Sequence, residues 1–307
     1  MKVLAELNPG LTLAEAIDQV ADSLDNAKLA FGHGTEDAEE EASWLVLAAS
    51  EEQMGQPDYD WERLLGVDEI SAINELLKKR VSSGQPLAYL LGEAWFAGLR
   101  FKVDPRVLVP RSFMVEWIDE QFAPWVNPDE VDSILDLCCG SGCIGIAAAL
   151  ALEAKQLVLS DLSAGALEVA AINSAEYLAD DNVQLHQGDM FSGIHRKFDL
   201  ILCNPPYVST ERMDTLPAEY VSEPDMALRA GDRGLDFIAP MLQQVRHYLT
   251  DRGVLIVEAG SASLEMERAW PDVPFTWLGT AHDEMVLFVM TAAELDQYKQ
   301  QLDSFSV

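Results

Sequence analysis

The chain is poor in basic residues, cysteine and histidine, and it has no long apolar run. Lys and Arg together number 20 against 52 Asp and Glu, a formal net charge of −32 over 307 residues. A field of that sign repels phosphate backbones, so direct nucleic-acid binding is not expected and a basic protein partner is favoured. A generally acidic host proteome, or solubility alone, gives the same sum. The four cysteines, Cys138, Cys139, Cys143 and Cys203, lack zinc spacing and no histidine group complements them, so no metal site is expected. The longest apolar stretch, around Cys143 to Leu152, is too short to cross a bilayer, and Met1 to Leu7 lacks the apolar core of a secretory signal. A soluble cytoplasmic protein without membrane partners is therefore expected. No repeat or low-complexity tract interrupts the chain, and 49% hydrophobic content at this length supplies a core for each of two domains.

What the chain does contain is Asn204-Pro205-Pro206-Tyr207, directly after the apolar run Phe198 to Cys203. That run reads as a buried strand. Two successive prolines donate no backbone hydrogen bond and hold φ near about −65°, so the strand ends there with carbonyls free to accept. An Asn carbonyl and a Pro carbonyl on one side of a planar NH₂ group hold both its hydrogens and aim the nitrogen lone pair at an electrophile. A Tyr ring gives a flat apolar floor. Asn-Pro and Pro-Pro are also ordinary turn formers, so the motif alone does not establish a site.

A second signal joins it. Ser133 to Leu137 reads as a strand, Asp136 to Gly145 as a glycine loop, and Ile144 to Leu152 as a helix. Such a junction lets the backbone approach a ligand and presents free N–H groups. Gly140, Gly142 and Gly145 also match the dinucleotide spacing G-x-G-x-x-G, so the loop is ambiguous between cofactors. The next strand, Gln156 to Ser160, ends in Asp161, which suits ribose hydroxyls in either class. A third, Val183 to His186, is followed by Gly188-Asp189-Met190-Phe191. Asp189 suits an adenine amino group, while Met190 or Phe191 suits either a purine face or the core.

Four strand ends in this order resemble the class I S-adenosylmethionine-dependent methyltransferases, in the variant that methylates amino groups. Within that class the chain resembles the protein glutamine N5-methyltransferases, which modify release factors or a ribosomal protein. Gln85 to Leu90, Val107 to Ser112, Glu223-Pro224, Ala227-Leu228 and Gly234-Leu235 resemble that family's linker and post-motif loop, and Phe31 to Thr35 its start. Release-factor enzymes read Pro-Arg-Pro where this chain has Pro110-Arg111-Ser112. That wording, with Leu216 to Tyr220 and Pro271 to Leu278, resembles the branch acting on large-subunit ribosomal protein L-three. Cys138 replaces the first glycine of the family loop, Gln85 a usual basic residue, and Arg229 to Arg233 is more charged than the pattern.

The resemblance implies an α/β fold. A seven-stranded, mostly parallel Rossmann-like sheet has helices on both faces and its last strand antiparallel; the βα alternation agrees. It implies S-adenosylmethionine as cofactor and S-adenosylhomocysteine as product, held by Asp136, Cys138, Cys139, Gly140, Ser141, Gly142, Asp161, Leu162, Asp189, Met190, Asn204 and, more remotely, Arg111. Arg111 equally suits a brace between hairpin and catalytic domain. Asn204, Pro205 and Tyr207 are the expected catalytic residues, and with Pro206 they form the expected substrate site. The substrate implied is a basic ribosomal protein before full assembly. An adenine-N6 methyltransferase uses the same four-residue motif but needs a basic groove. A cofactor-binding assembly factor without turnover is a further reading, against which the intact motif counts.

Residues 1–93 read as a helical, substrate-holding domain. Thr12 and Glu15 form a capping box, Leu13, Ile17, Val20 and Leu24 one apolar stripe, and Ile70, Ile73, Leu76, Leu77 and Val81 another ending at Gly84. Thr35-Glu36-Asp37 suits a helix start before Trp44, Leu47 and Ala48. Residues 94–111 read as a β-hairpin linker turning at Asp104-Pro105, and 112–307 as the methyltransferase domain. Its last strands are Gly253 to Glu258 and a hairpin of Phe275 to Leu278 with Met285 to Met290.

Overall fold

The computed structural model describes residues 6–50, 52, 55, 58–280 and 285–305; the reading of Met1 to Leu7 therefore lies largely outside the described residues. The chain opens with helices α1 (Leu13–Ala27), α2 (Ala38–Ala49), α3 (Val67–Ser83) and α4 (Leu87–Leu91). Thr12 caps α1 in a complete capping box with Glu15, and the stripe from Leu13 to Leu24 is buried. Asp37, rather than Thr35, caps α2, accepting from the Glu40 N–H. Thr35 is instead buried. Gly84, at φ +68°, closes α3 in the left-handed conformation that a residue without Cβ adopts freely. Inside this unit Arg80 and Glu41 form a buried pair, Nε to Oε1 at 2.7 Å, and Arg80 also donates to the Ala30 carbonyl.

A hairpin of β1 (Glu93–Phe96) and β2 (Leu99–Lys102) follows. Its turn falls at Ala97-Gly98, both at positive φ, and not at Asp104-Pro105. Asp104-Pro105 makes a separate turn, with Val107 N–H donating to the Asp104 carbonyl and the carboxylate gripping Arg106. Then come α5 (Met114–Asp119), β3 (Ser133–Leu137), α6 (Cys143–Ala151), β4 (Gln156–Asp161), α7 (Ala164–Tyr177), β5 (Val183–Gln187) and β6 (Phe198–Cys203). After α8 (Thr210–Met213) and α9 (Ile238–Gln244), β7 (Leu249–Glu258), α10 (Ser263–Ala269), β8 (Thr276–Leu278) and β9 (Leu287–Thr291) lead into the last helices, α11 (Ala292–Gln297) and α12 (Lys299–Ser304).

Among the described residues seven strands form one sheet in the order β5-β4-β3-β6-β7-β9-β8, with β9 reversed relative to both β7 and β8. Alternate residues of each central strand face opposite layers. Leu135, Ile201, Cys203, Leu255 and Val257 pack with α9 and α10, whereas Ile134, Leu200, Leu202 and Ile256 pack with α5 and α6. Strands covered on both faces read as continuous apolar runs, which is why β3 and β6 were legible. Strand order reverses between β3 and β6, opening a crevice at their carboxyl ends.

The hairpin is clipped to this sheet by Asn173 of α7. Its side chain accepts from the Lys102 N–H at 2.7 Å and donates to the carbonyls of Lys102 and Ser141, joining linker and glycine loop. The apolar core of the helical unit continues through Val103, Val107 and Val109 to Ala166 and Val169 on α7. Among the described residues, no helix is long and apolar enough to cross a membrane.

Candidate active site

The crevice begins where β3 ends. Cys138 takes φ +62°, a left-handed conformation in which a Cβ is strained, so cysteine there adopts the backbone shape a glycine favours. The loop then folds back. Gly140 N–H donates to Asp161 Oδ2 at 2.9 Å and Gly145 N–H, in the first turn of α6, donates to Asp136 Oδ2 at 2.8 Å. Burial pushes the Asp136 carboxyl up to about 7, with the Gly145 bond opposing and Asp161 adding, and its Oδ1 has no partner among the described residues. Asp161, at the end of β4, also accepts from the Ser163 N–H at 2.8 Å; burial raises it and these backbone bonds offset part of the rise.

The crevice wall takes in Cys138, Cys139, Asp161, Leu162, Asp189, Met190, Asn204 and Arg111 of the residues expected from sequence. Asp136, Gly140, Ser141 and Gly142, also expected at the cofactor, do not line it; the Asp136 and Gly140 bonds instead fold the loop. Met190 and Phe191 part ways. Met190 faces the crevice, while Phe191 is buried and stacked on Tyr248, ring centroids 4.3 Å apart. Burial raises the thiols of Cys139 and Cys203, and that of Cys143 to about 12. Such thiols stay protonated, and among the described residues no three His, Cys, Asp or Glu side chains cluster as metal ligands would.

Asn204 follows the last residue of β6 and lines two cavities at once. One is the crevice; the other is a cleft of about 540 Å³ walled by Gly32, Glu36, Trp95, Phe96, Glu116 and Tyr207, in the size range of ligand pockets. Nothing among the described residues donates to or accepts from the Asn204 carboxamide. Pro205 is buried and lines neither cavity; Pro206 faces the crevice and Tyr207 the cleft. Tyr207 is boxed in. A Cβ on Gly260 would stand 2.5 Å from its Cε2, and one on Gly234 would meet its carbonyl oxygen. Its hydroxyl donates to Glu258 Oε1 at 3.0 Å, and Ser112 Oγ donates to Glu258 Oε2 at 2.6 Å.

The loop after the motif closes the site. Val208 N–H donates to the Leu228 carbonyl at 2.8 Å and Ala230 N–H returns to Val208, which carries Pro224, Met226 and Ala227 to the crevice wall. Glu223 on this loop is buried and takes both terminal nitrogens of Arg111, at 2.5 and 2.7 Å, together with the Val109 N–H. His33, from the helical unit, stands 3.6 Å from the same carboxylate. Burial alone would raise the Glu223 carboxyl, but His33 and Arg111 hold it down at about 2. Arg111, despite its own desolvation, is raised by Glu223, and it lies over the Tyr220 ring. Its cation is thus committed to Glu223 at the seam between hairpin and loop.

Sequence reasoning missed the roles of Ser112, Glu223 and Glu258. Their partners lie 112 and 146 residues away in the chain and carry no local periodicity.

Comparison with known proteins agrees with a methyltransferase fold. A family model described as "Methyltransferase small domain" matches residues 119–233. The protein named ribosomal protein uL3 glutamine methyltransferase in Francisella tularensis is 41% identical over 278 residues, covering 90% of this chain and 88% of that one. Its namesake in Burkholderia pseudomallei is 38% identical over 296 residues, 94% of this chain and 96% of that one. That of Bordetella pertussis is 41% identical over 287 residues, covering 93% and 96%.

Proposed function

The chain belongs to the ribosomal protein uL3 glutamine methyltransferase family, and on that premise we propose that it methylates the side-chain amide nitrogen of a glutamine in uL3. S-adenosylmethionine, when bound, supplies an electrophilic methyl group on a sulfonium. Asp161, Leu162, Asp189 and Met190 would hold it, with Cys138 and Cys139 at the glycine loop. The fit is chemical: Asp161 keeps acceptor capacity toward ribose hydroxyls after taking two backbone N–H bonds, and Met190 offers a polarizable apolar face.

One observation carries the reading: the unpartnered Asn204 carboxamide stands where the crevice and the cleft meet. A glutamine nitrogen is a poor nucleophile because its lone pair is delocalised into the carbonyl, so positioning must replace basicity. Asn204 Oδ1 accepts from one of its hydrogens and orients the lone pair. As charge builds on the nitrogen that hydrogen becomes a stronger donor, and the bond strengthens in the transition state. Tyr207 lies under the amide plane and favours the developing cation. The helical unit, residues 1–93, holds the substrate protein, the hairpin linker of residues 94–111 sets its angle, and residues 112–307 perform the transfer.

The test is Asn204→Ala. It binds S-adenosylmethionine within about twofold of the parent but turns over at least about a hundredfold slower, the loss expected on deleting one transition-state hydrogen bond. Parent-like turnover would remove Asn204 from the reaction.

A further inference from the structure

Glu258 is the last residue of β7, one strand over from the motif: Val257 pairs with Cys203, so Glu258 stands level with Asn204. It is 3% exposed, and both its oxygens are committed, one to the Tyr207 hydroxyl and one to the Ser112 hydroxyl, itself on a buried residue. Burying a carboxylate is unfavourable unless its lone pairs are satisfied, and an apolar side chain would fill the same space without that cost. Here burial raises the Glu258 carboxyl, and the Ser112 and Tyr207 bonds pull it back. The hydroxyl bond fixes one end of the Tyr207 ring while Gly260 limits its edge. A phenol donating to a carboxylate is also more electron-rich on its face, which strengthens attraction for a cation above it.

We propose that Glu258 and Ser112 are positioning residues that lock the Tyr207 ring as the floor beneath the acceptor amide. This rests on the reading that the amide sits between Asn204 and Tyr207. Ser112 steers the carboxylate from the linker side, Glu258 steers the hydroxyl, and neither touches the reacting atoms.

The experiment compares kcat, KM for uL3, cofactor affinity and thermal midpoint in Tyr207→Phe, Glu258→Gln, Ser112→Ala, Ser112→Thr, the Tyr207→Phe/Glu258→Gln double variant and Asn204→Ala. Tyr207→Phe and Glu258→Gln should each lower kcat about tenfold with cofactor affinity within about twofold, as loss of a hydrogen bond to a charged group predicts. The double variant should fall no further than the worse single one, because both act on the same charge-assisted bond, Phe by deleting the hydroxyl and Gln by neutralising its acceptor. Ser112→Ala should lower kcat, and Ser112→Thr, which keeps the hydroxyl, should restore it. A parent-like kcat in Tyr207→Phe, or losses that multiply in the double variant, would overturn the inference. Should Glu258→Gln fail to fold, Tyr207→Phe decides alone, since it deletes one oxygen. A dead Asn204→Ala beside a fully active Tyr207→Phe would sink only this inference, whereas a fully active Asn204→Ala would sink the proposed function with it.

Discussion

Asp161 carries the cofactor assignment at the level of single residues. Its carboxylate ends β4, holds the glycine loop through Gly140 and still faces the crevice. Asp161→Ala should weaken S-adenosylmethionine binding about tenfold, the range for losing a charged acceptor, with calorimetry as the readout. Unchanged affinity would reject it as the ribose-binding group. Residues of this kind were legible because a strand end followed by an acid, or by Asn-Pro-Pro, is a local pattern. Glu258 was not legible. Nothing beside it in sequence distinguishes a carboxylate that ends an apolar strand in solvent from one buried against Tyr207 and Ser112.

Between elements, Glu223 joins three segments: the helical unit through His33, the linker through Val109 and Arg111, and the post-motif loop that bears it. Its folded value of about 2 lies below the ordinary 4.5, so its stabilisation is fully present above pH 4.5 and is lost as the pH falls from there toward 2. The shift corresponds to about 3 kcal/mol. Glu223→Gln should therefore be less stable than the parent at neutral pH, with Arg111 left lacking its counter-charge. The gap should narrow below about pH 4.5, as urea unfolding at pH 7 and about pH 3.5 would show. A gap of constant size would contradict the assigned ion pair. Element boundaries followed the sequence closely where periodicity or caps marked them, as at Thr12 and Gly84. They failed at the hairpin turn, because Asp104-Pro105 is a strong turn signal while Ala97 in the left-handed region is one that sequence rarely announces.

Across the whole molecule, strand order and composition point the same way. A sheet reversing at β3 and β6 sets the crevice, and the helical unit and hairpin add the second cleft beside Asn204. That cleft was invisible in sequence, since its walls come from Gly32, Trp95, Glu116 and Tyr207, which meet only after the units dock. A net charge of −32 suits a substrate rich in Lys and Arg. The most direct measurement offers uL3 and release factors side by side with labelled S-adenosylmethionine and locates the methyl group by mass spectrometry. The expected product is uL3 carrying the label on a glutamine side-chain nitrogen. Label confined to release factors, or on any other atom of uL3, would contradict the account.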